Sequence, residues 1–303
     1  MRFVSFYDRD GKETFGIFAK TEHKILNLPA AERALTETVR LPQTLLAWLN
    51  DPGRSEAYIL GLYENAVFHH QADFWYHPET SLLAPIPRPQ KNVLCIGKNY
   101  KDHAIEMGSE ADIPEAPVVF TKAPGSVTGA GSAIELNSAV TEQLDYEGEL
   151  AVVIGEEVKD VSVHEAENSV FGYTIINDIT ARDRQSRHKQ FFLGKSGDTF
   201  CPMGPSIVTK DAMAQYLPAK IRTTVNGELR QDGTTEDLIF SVPELIAEIS
   251  KGMTLSPGDI IATGTPMGVG KAMNPPRFLQ DEDEVSVEIP GIGTLTNVIK
   301  QKA

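Results

Sequence analysis

From residue 92 onward the chain is cut into short apolar runs, each too brief for a typical helix and each closed by Gly, Pro, Asn or Asp. The runs are NVLCIG, APVVFTK, YEGELAVVIG, FGYTIIND, IRTTVNGELR, GDIIATG, EVSVEI and GTLTNVIK. Such spacing suits strands of about five or six residues. This region is therefore expected to be built mainly from sheets, with Asn226-Gly227 marking one hairpin turn. One clear helix interrupts the pattern. Ser241 to Glu244 form a capping box ahead of PELIAEISKG, which Gly252 closes. Another helix is expected near Thr180.

The opening of the chain reads differently. RFVSFYDRDGKETFGIFAK carries two strand-like runs around Asp10-Gly11, and LPQTLLAWLN has helical spacing through Leu41, Leu45, Leu46, Trp48 and Leu49. Then Pro85, Pro87 and Pro89 alternate through LAPIPRPQK. Proline fixes φ and lacks an N–H, so that stretch suits neither helix nor central strand. The expected organisation is a small α/β unit over residues 1–84, an extended linker over 85–91 and a larger domain over 92–303. The fold class is mostly β with α (α+β).

The net charge of −14 repels phosphate backbones and anionic lipid surfaces, so nucleic acid and membranes are not expected as partners. A small anionic substrate remains compatible where a metal or local Lys and Arg reverse the field. With two cysteines, Cys95 and Cys201, and no zinc-type spacing, the chain reads as a reduced protein. The N-terminus has no apolar signal core, and no segment reaches membrane-spanning length, so a cytoplasmic location is expected.

Against this background the run LDYEGELAVVIG is unusual. Side chains alternate along a strand, so Leu144, Tyr146, Leu150, Val152 and Ile154 share one face with Gly148. Asp145, Glu147 and Glu149 share the other, which turns apolar at Ala151 and Val153. Residues two apart lie roughly 6.6 Å apart along a strand, close enough for both glutamates to reach one cation. Oxygen-only ligation suits Mg²⁺, Mn²⁺ or Ca²⁺ rather than zinc. The bland alternative is a solvated edge-strand face. Asp178 ends the apolar run FGYTIIND and could add a third carboxylate; its alternative is an acid beside a helix start, since Thr180 and Asp183 have capping-box spacing.

GKNYKDHAIEMG places His103 and Glu106 at i, i+3 on one face of a short helix, between Gly97 and Gly108. A histidine oriented by a carboxylate is a common general base, although such a pair also occurs as plain surface decoration. Lys195 stands between Gly194 and Ser196, and ATGTPMGVGKA suggests an anion-binding turn at Gly264 and Thr265. Neither a Walker A motif, a Rossmann fingerprint nor a nucleophile elbow is present.

Taken in order, IGKNYKDHAIEMG, LDYEGELAVVIG, GYTIINDITARDRQ, GKSGDTFCPMGP and DIIATGTPMGVG resemble the fumarylacetoacetate hydrolase family from about residue 91 to the C-terminus. The resemblance implies a β-sandwich or β-roll catalytic domain and a homodimer. It implies that Glu147, Glu149 and Asp178 ligate one divalent cation, Mg²⁺ or Mn²⁺. His103 and Glu106 match a lid dyad, Gln185 and Lys195 match substrate-contacting positions, and Lys98 stands where relatives often carry Arg. Thr265, after Gly264, matches the residue that receives a substrate carboxylate.

The implied chemistry is cleavage or isomerisation beside a 2-oxo acid. The expected activity is decarboxylation of oxaloacetate to pyruvate and CO₂, with acylpyruvate hydrolysis alongside it. The alternatives are a 2-hydroxymuconate-type isomerase or hydrolase of aromatic catabolism, and a non-catalytic 2-oxo-acid-binding regulatory protein.

Overall fold

A computed structural model of the protein describes residues 1–19, 21–36, 38–69, 73–77, 80 and 82–302. Its backbone is an eleven-stranded sheet facing a five-stranded one, with a two-stranded ribbon beside them. The centre of the large sheet is the antiparallel pair Gly148–Ile154 and Val170–Asn177, every residue of which is buried. On one side of that pair lie Ile260–Ala262, then Val93–Gly97 and the edge strand Val118–Lys122. Cys201–Thr209 lies on the other.

The sheet does not stop at the proline-rich stretch. Arg2–Tyr7 pairs antiparallel with Cys201–Thr209, and Glu13–Ala19, Lys24–Asn27 and Trp75–Tyr76 extend the same sheet outward. Residues 85–89 connect the two parts as a packed segment in which Pro85 and Ile86 are buried.

Alternation along Gly148–Ile154 divides the interior in two. Ala151 and Val153 enter a core with Phe3, Trp48 and Phe171, where the Phe3 and Trp48 rings stack at 5.2 Å. Leu150, Val152 and Ile154 point the other way, onto Leu245 and Ile249 of the helix Val242–Gly252 and onto Val287 and Leu295 of the smaller sheet. That helix begins with the expected capping box between Ser241 and Glu244. The hairpin also forms as expected, with Asn226 and Gly227 at φ 52° and 78° between Lys220–Val225 and Glu228–Thr234. The structure is thus the mixed, β-dominated architecture expected of the sequence. No helix among the described residues is long and apolar enough to cross a membrane.

Candidate active site

The acidic run answers to two different demands. The ladder between Gly148 and Asn177 continues one step further, because the Asp178 N–H donates to the Glu147 carbonyl at 2.8 Å. This sets Glu147 and Asp178 side by side just beyond the paired strands, with Glu149 the next side chain on the same face. Carboxylate oxygens of Glu147, Glu149 and Asp178 lie within 4.8 Å of one another, and all three side chains are buried. Asp145 does not join them. It accepts from Arg182 Nε at 2.8 Å and from the N–H groups of Gly270 and Lys271 at 2.8 and 3.0 Å. The solvated-edge alternative is excluded by this burial.

Three buried cations surround the cluster. Lys195 Nζ lies 2.6 Å from both Glu147 Oε2 and Asp178 Oδ2, and Lys122 donates to Asp178 Oδ1 from behind. Arg182 Nη2 is 2.7 Å from Glu147 Oε1, close enough for an ion pair but off the line of a good hydrogen bond. Burial alone would raise the Glu147 pKa, but Lys195 and then Arg182 outweigh it and hold the carboxylate below its ordinary range. Among the described residues Glu149 has no such partner, and the one hydrogen bond it accepts comes from the Gly264 N–H at 2.8 Å. Burial, then Asp178 and Glu147, push its pKa well up. The cluster is short of positive charge at Glu149, and its donors are all carboxylate oxygens. Both properties fit a hard divalent cation.

Gly264 therefore acts differently from the turn expected at that position. Its N–H is directed at the chain's own Glu149, and it lies outside the cavity wall. At φ +103° an added Cβ would meet Asn99 Cβ at 2.9 Å and the Ile96 carbonyl at 3.1 Å. Thr265 does line the cavity; its hydroxyl donates to the Gly148 carbonyl and accepts from Gln231.

The helix Lys101–Glu106 brings His103 into the cavity that Glu147 and Glu149 also line. His103 Nδ1 and Glu106 Oε1 are 2.8 Å apart, and both side chains are largely shielded. The Glu106 carboxylate is gripped by the Gly268 N–H, 3.1 and 3.0 Å from its two oxygens. Tyr146 holds the same residue from its other side, donating its phenol proton to the Gly268 carbonyl at 2.9 Å. Asn99 anchors the start of the segment through bonds to Phe240 and to the Thr263 carbonyl. Surface decoration is thus ruled out for the His103–Glu106 pair.

A cavity of about 310 Å³ joins these parts, lined by His103, Glu147, Glu149, Gln185, Lys195 and Thr265 among others. Lys98 is also in its wall, with its ammonium 3.0 Å from Asp112. One apolar side is built by Phe120, whose face lies 4.9 Å from Lys195 Nζ and which meets Phe191 edge-on at 5.5 Å. Lys195 and Gln185 are set by the contact of Phe192–Lys195 with Arg182–His188. A Cβ on Gly194 would lie 2.7 Å from the Gln185 nitrogen. The helix expected near Thr180 begins at Arg182 without a capping box, because Asp183 accepts from Thr141 and the Glu142 N–H instead.

Lys122, Arg182, Tyr146 and Gln231 were not singled out in the sequence. Arg182 and Lys122 do lie inside the conspicuous segments TARDRQ and VVFTK. A basic residue at the last position of a strand-like run, or just after one, is the local signal they offer.

This sheet architecture and carboxylate-centred cavity define a chain of the fumarylacetoacetate hydrolase family. The family described as "Fumarylacetoacetate (FAA) hydrolase C-terminal" matches residues 92–300, and the chain belongs to it. The chain is 54% identical over 281 residues to oxaloacetate tautomerase YisK of Bacillus subtilis (strain 168), covering 92% of this chain and 93% of that one. Among solved structures it resembles fumarylacetoacetate hydrolase (EaFAH) from psychrophilic Exiguobacterium antarcticum, with 40% identity and a TM-score of 0.81 over the full length of both. It also resembles 5-carboxymethyl-2-hydroxymuconate delta-isomerase from Mycobacterium smegmatis, at 35% identity and a TM-score of 0.73, again over both full lengths.

Proposed function

We propose that the chain moves a proton at C3 of oxaloacetate, interconverting its enol and keto forms. Decarboxylation to pyruvate and CO₂, and hydrolysis of acylpyruvates, are proposed as further reactions of the same site. The observation that carries this reading is a shielded His103, paired with Glu106, that lines the same cavity as Glu147 and Glu149 of the carboxylate cluster. The choice of oxaloacetate is supported by the relationship to a tautomerase of that acid.

Glu147, Glu149 and Asp178 would hold one divalent ion, Mg²⁺ or Mn²⁺. Such an ion supplies Lewis acidity toward the carboxylate and 2-oxo oxygens of the substrate. Lys195, already fixed beside Glu147 and Asp178, adds positive charge where the 2-oxo oxygen gains electron density. With Glu106 accepting from Nδ1, the His103 proton is held there and Nε2 carries the free pair. Nε2 takes the proton from C3 as the C–H electron pair moves into the C2–C3 bond and the C2–O π pair moves onto the oxygen; the same proton then passes to that oxygen to complete the enol, and both transfers run backward in ketonisation. Phe120 and Phe191 keep bulk water from that side. Gln185, Lys98 and Thr265 orient the remaining substrate oxygens.

The test follows the absorbance of enol oxaloacetate with purified protein and Mn²⁺ or Mg²⁺. Loss of the enol band faster than in buffer, and its dependence on added metal after chelation, are expected. A protein that leaves the enol rate unchanged but turns over hydroxymuconate analogues would be an isomerase of aromatic catabolism. Binding of oxalate without turnover of any of these substrates would instead identify a 2-oxo-acid-binding regulator. Light scattering on the same preparation checks the expected homodimer.

A further inference from the structure

The cavity wall has a charge pattern opposite to that of the whole chain. The protein carries a net charge of −14, yet among the described residues of the cavity lining Lys98, Arg182, Lys189, Lys195 and Lys271 stand against two acids, Glu147 and Glu149. Most of these cations are already committed. Lys195 and Arg182 hold the buried acids, and Lys98 is paired with Asp112. Lys189 and Lys271 are exposed, and among the described residues neither ammonium has a hydrogen bond or an ion pair.

Lys271 is also placed by a built structure. Its N–H and that of Gly270 both donate to Asp145, the buried carboxylate that fixes Arg182. Gly270 permits this turn, since a Cβ there would lie 2.1 Å from the Arg277 carbonyl and 2.7 Å from Asp145 Oδ1. The side chain of Lys271 therefore starts from a fixed point on the cavity rim. Partial burial and then the nearby Arg182 lower its affinity for its proton. The cavity holds that charge at a cost which an arriving carboxylate would offset.

We propose that Lys271, assisted by Lys189, receives the second carboxylate of a dicarboxylic 2-oxo acid and so sets a preference for dianionic over monoanionic substrates. This rests on the oxaloacetate reading of the same site. The 2-oxo end of the substrate is directed at the buried carboxylate cluster, which leaves the far carboxylate to find a cation at the rim. An acylpyruvate presents a neutral carbonyl there and gains no ion pair. Charge-assisted hydrogen bonds are about twice as strong as neutral ones, so this contact alone separates the two classes.

The experiment compares wild type with Lys271→Met and Lys271→Arg on oxaloacetate and acetylpyruvate. The expected result is a KM for oxaloacetate raised about 10- to 100-fold in Lys271→Met, with kcat changed far less. Acetylpyruvate should shift less than about 2-fold, and Lys271→Arg should recover most of the oxaloacetate affinity. Titration with two unreactive probes, oxalate and malate, runs in parallel with Mg²⁺ present. Malate has a second carboxylate beyond the chelating end and oxalate does not, so only malate should weaken in Lys271→Met. Equal losses for both substrates, or for both probes, would overturn the assignment. If wild type fails to process oxaloacetate while the malate-specific loss persists, the reaction is wrong and the role of Lys271 stands. Among the described residues the Lys271 ammonium has no partner and is held at a cost, so neither variant should melt below wild type.

Discussion

Replacing Glu149 with Gln should separate the metal requirement from the stability of the fold. Gln keeps an acceptor for the Gly264 N–H and nearly the same volume, so the change is one of charge. In chelated protein Glu149 is the member of the cluster that, among the described residues, has no ion pair, and its folded-state pKa lies above the unfolded one. A raised carboxyl pKa means the folded state binds the proton more tightly. Its contribution is fully present below the unfolded pKa and is lost as pH rises toward the folded one. The loss is about 1.4 kcal/mol for each pH unit within that window. The variant has no such group, so at pH 8 chelated Glu149→Gln should melt above chelated wild type, with the two curves converging near pH 4–5. For a chain of this size each kcal/mol corresponds to roughly 2–4 °C. Metal should reverse the order. An ion at about 100 times its Kd adds about 2.7 kcal/mol to wild type, or roughly 5–11 °C, and little to the variant. Scanning fluorimetry across pH, with and without Mn²⁺, reads both effects. A variant that melts below wild type when chelated at pH 8, or that gains as much from Mn²⁺, would refute the charge argument.

Three further outcomes are expected. His103→Ala should cut acylpyruvate hydrolysis and C3 proton transfer by about 10²–10⁴-fold, while oxaloacetate decarboxylation, which needs no nucleophile, falls less; steady-state rates on one preparation check this, and equal losses would point to a shared step. Tyr146→Phe removes the bond to the Gly268 carbonyl and loosens the grip of the Gly268 N–H on Glu106; loss of about 1 kcal/mol of positioning predicts roughly 5-fold lower kcat with KM nearly unchanged. An unaltered kcat would show that Gly268 stays in place without it. Gly264→Ala puts a Cβ against Asn99 and Ile96 at a φ suited to glycine, so thermal unfolding should reveal about 1–3 kcal/mol of lost stability together with weaker Mn²⁺ binding.

What could be read from residue order was whatever depends on local period. Alternation in LDYEGELAVVIG correctly assigned Ala151 and Val153 to one core and Leu150 and Val152 to the other. It also put the two glutamates on one face, because a two-residue period leaves no alternative. The spacing of His103 and Glu106 translated directly into their 2.8 Å contact. Asp145 shares that face and was indistinguishable from the two glutamates by pattern. What separates it is Arg182 and the Gly270–Lys271 turn, which arrive from 37 and more than 120 residues away. Lys122 is similar: ending a strand reads as exposure until Asp178, 56 residues on, is seen against it. Burial of a charge is a property of its partner, and partners brought together by topology leave no local trace. The proline-rich stretch gave a local break in pattern, but not the sheet that runs on from Arg2–Tyr7 to Cys201–Thr209.

That shared sheet has a consequence for how the chain is made. Arg2 pairs with Val208 and Phe3 with Ile207, so the strand holding buried Phe3, Val4 and Phe6 has one of its neighbours encoded some 200 residues later. At about 5–20 residues per second, a ribosome needs roughly 10–40 s to supply it. During that interval Arg2–Tyr7 can zip onto Glu13–Ala19, register Phe3↔Ile17, but its other edge stays open. An apolar strand with a free edge invites pairing with a second chain. The nascent polypeptide is therefore most prone to self-association before residues 201–209 emerge, and holding that edge apart is the natural task of a chaperone during synthesis.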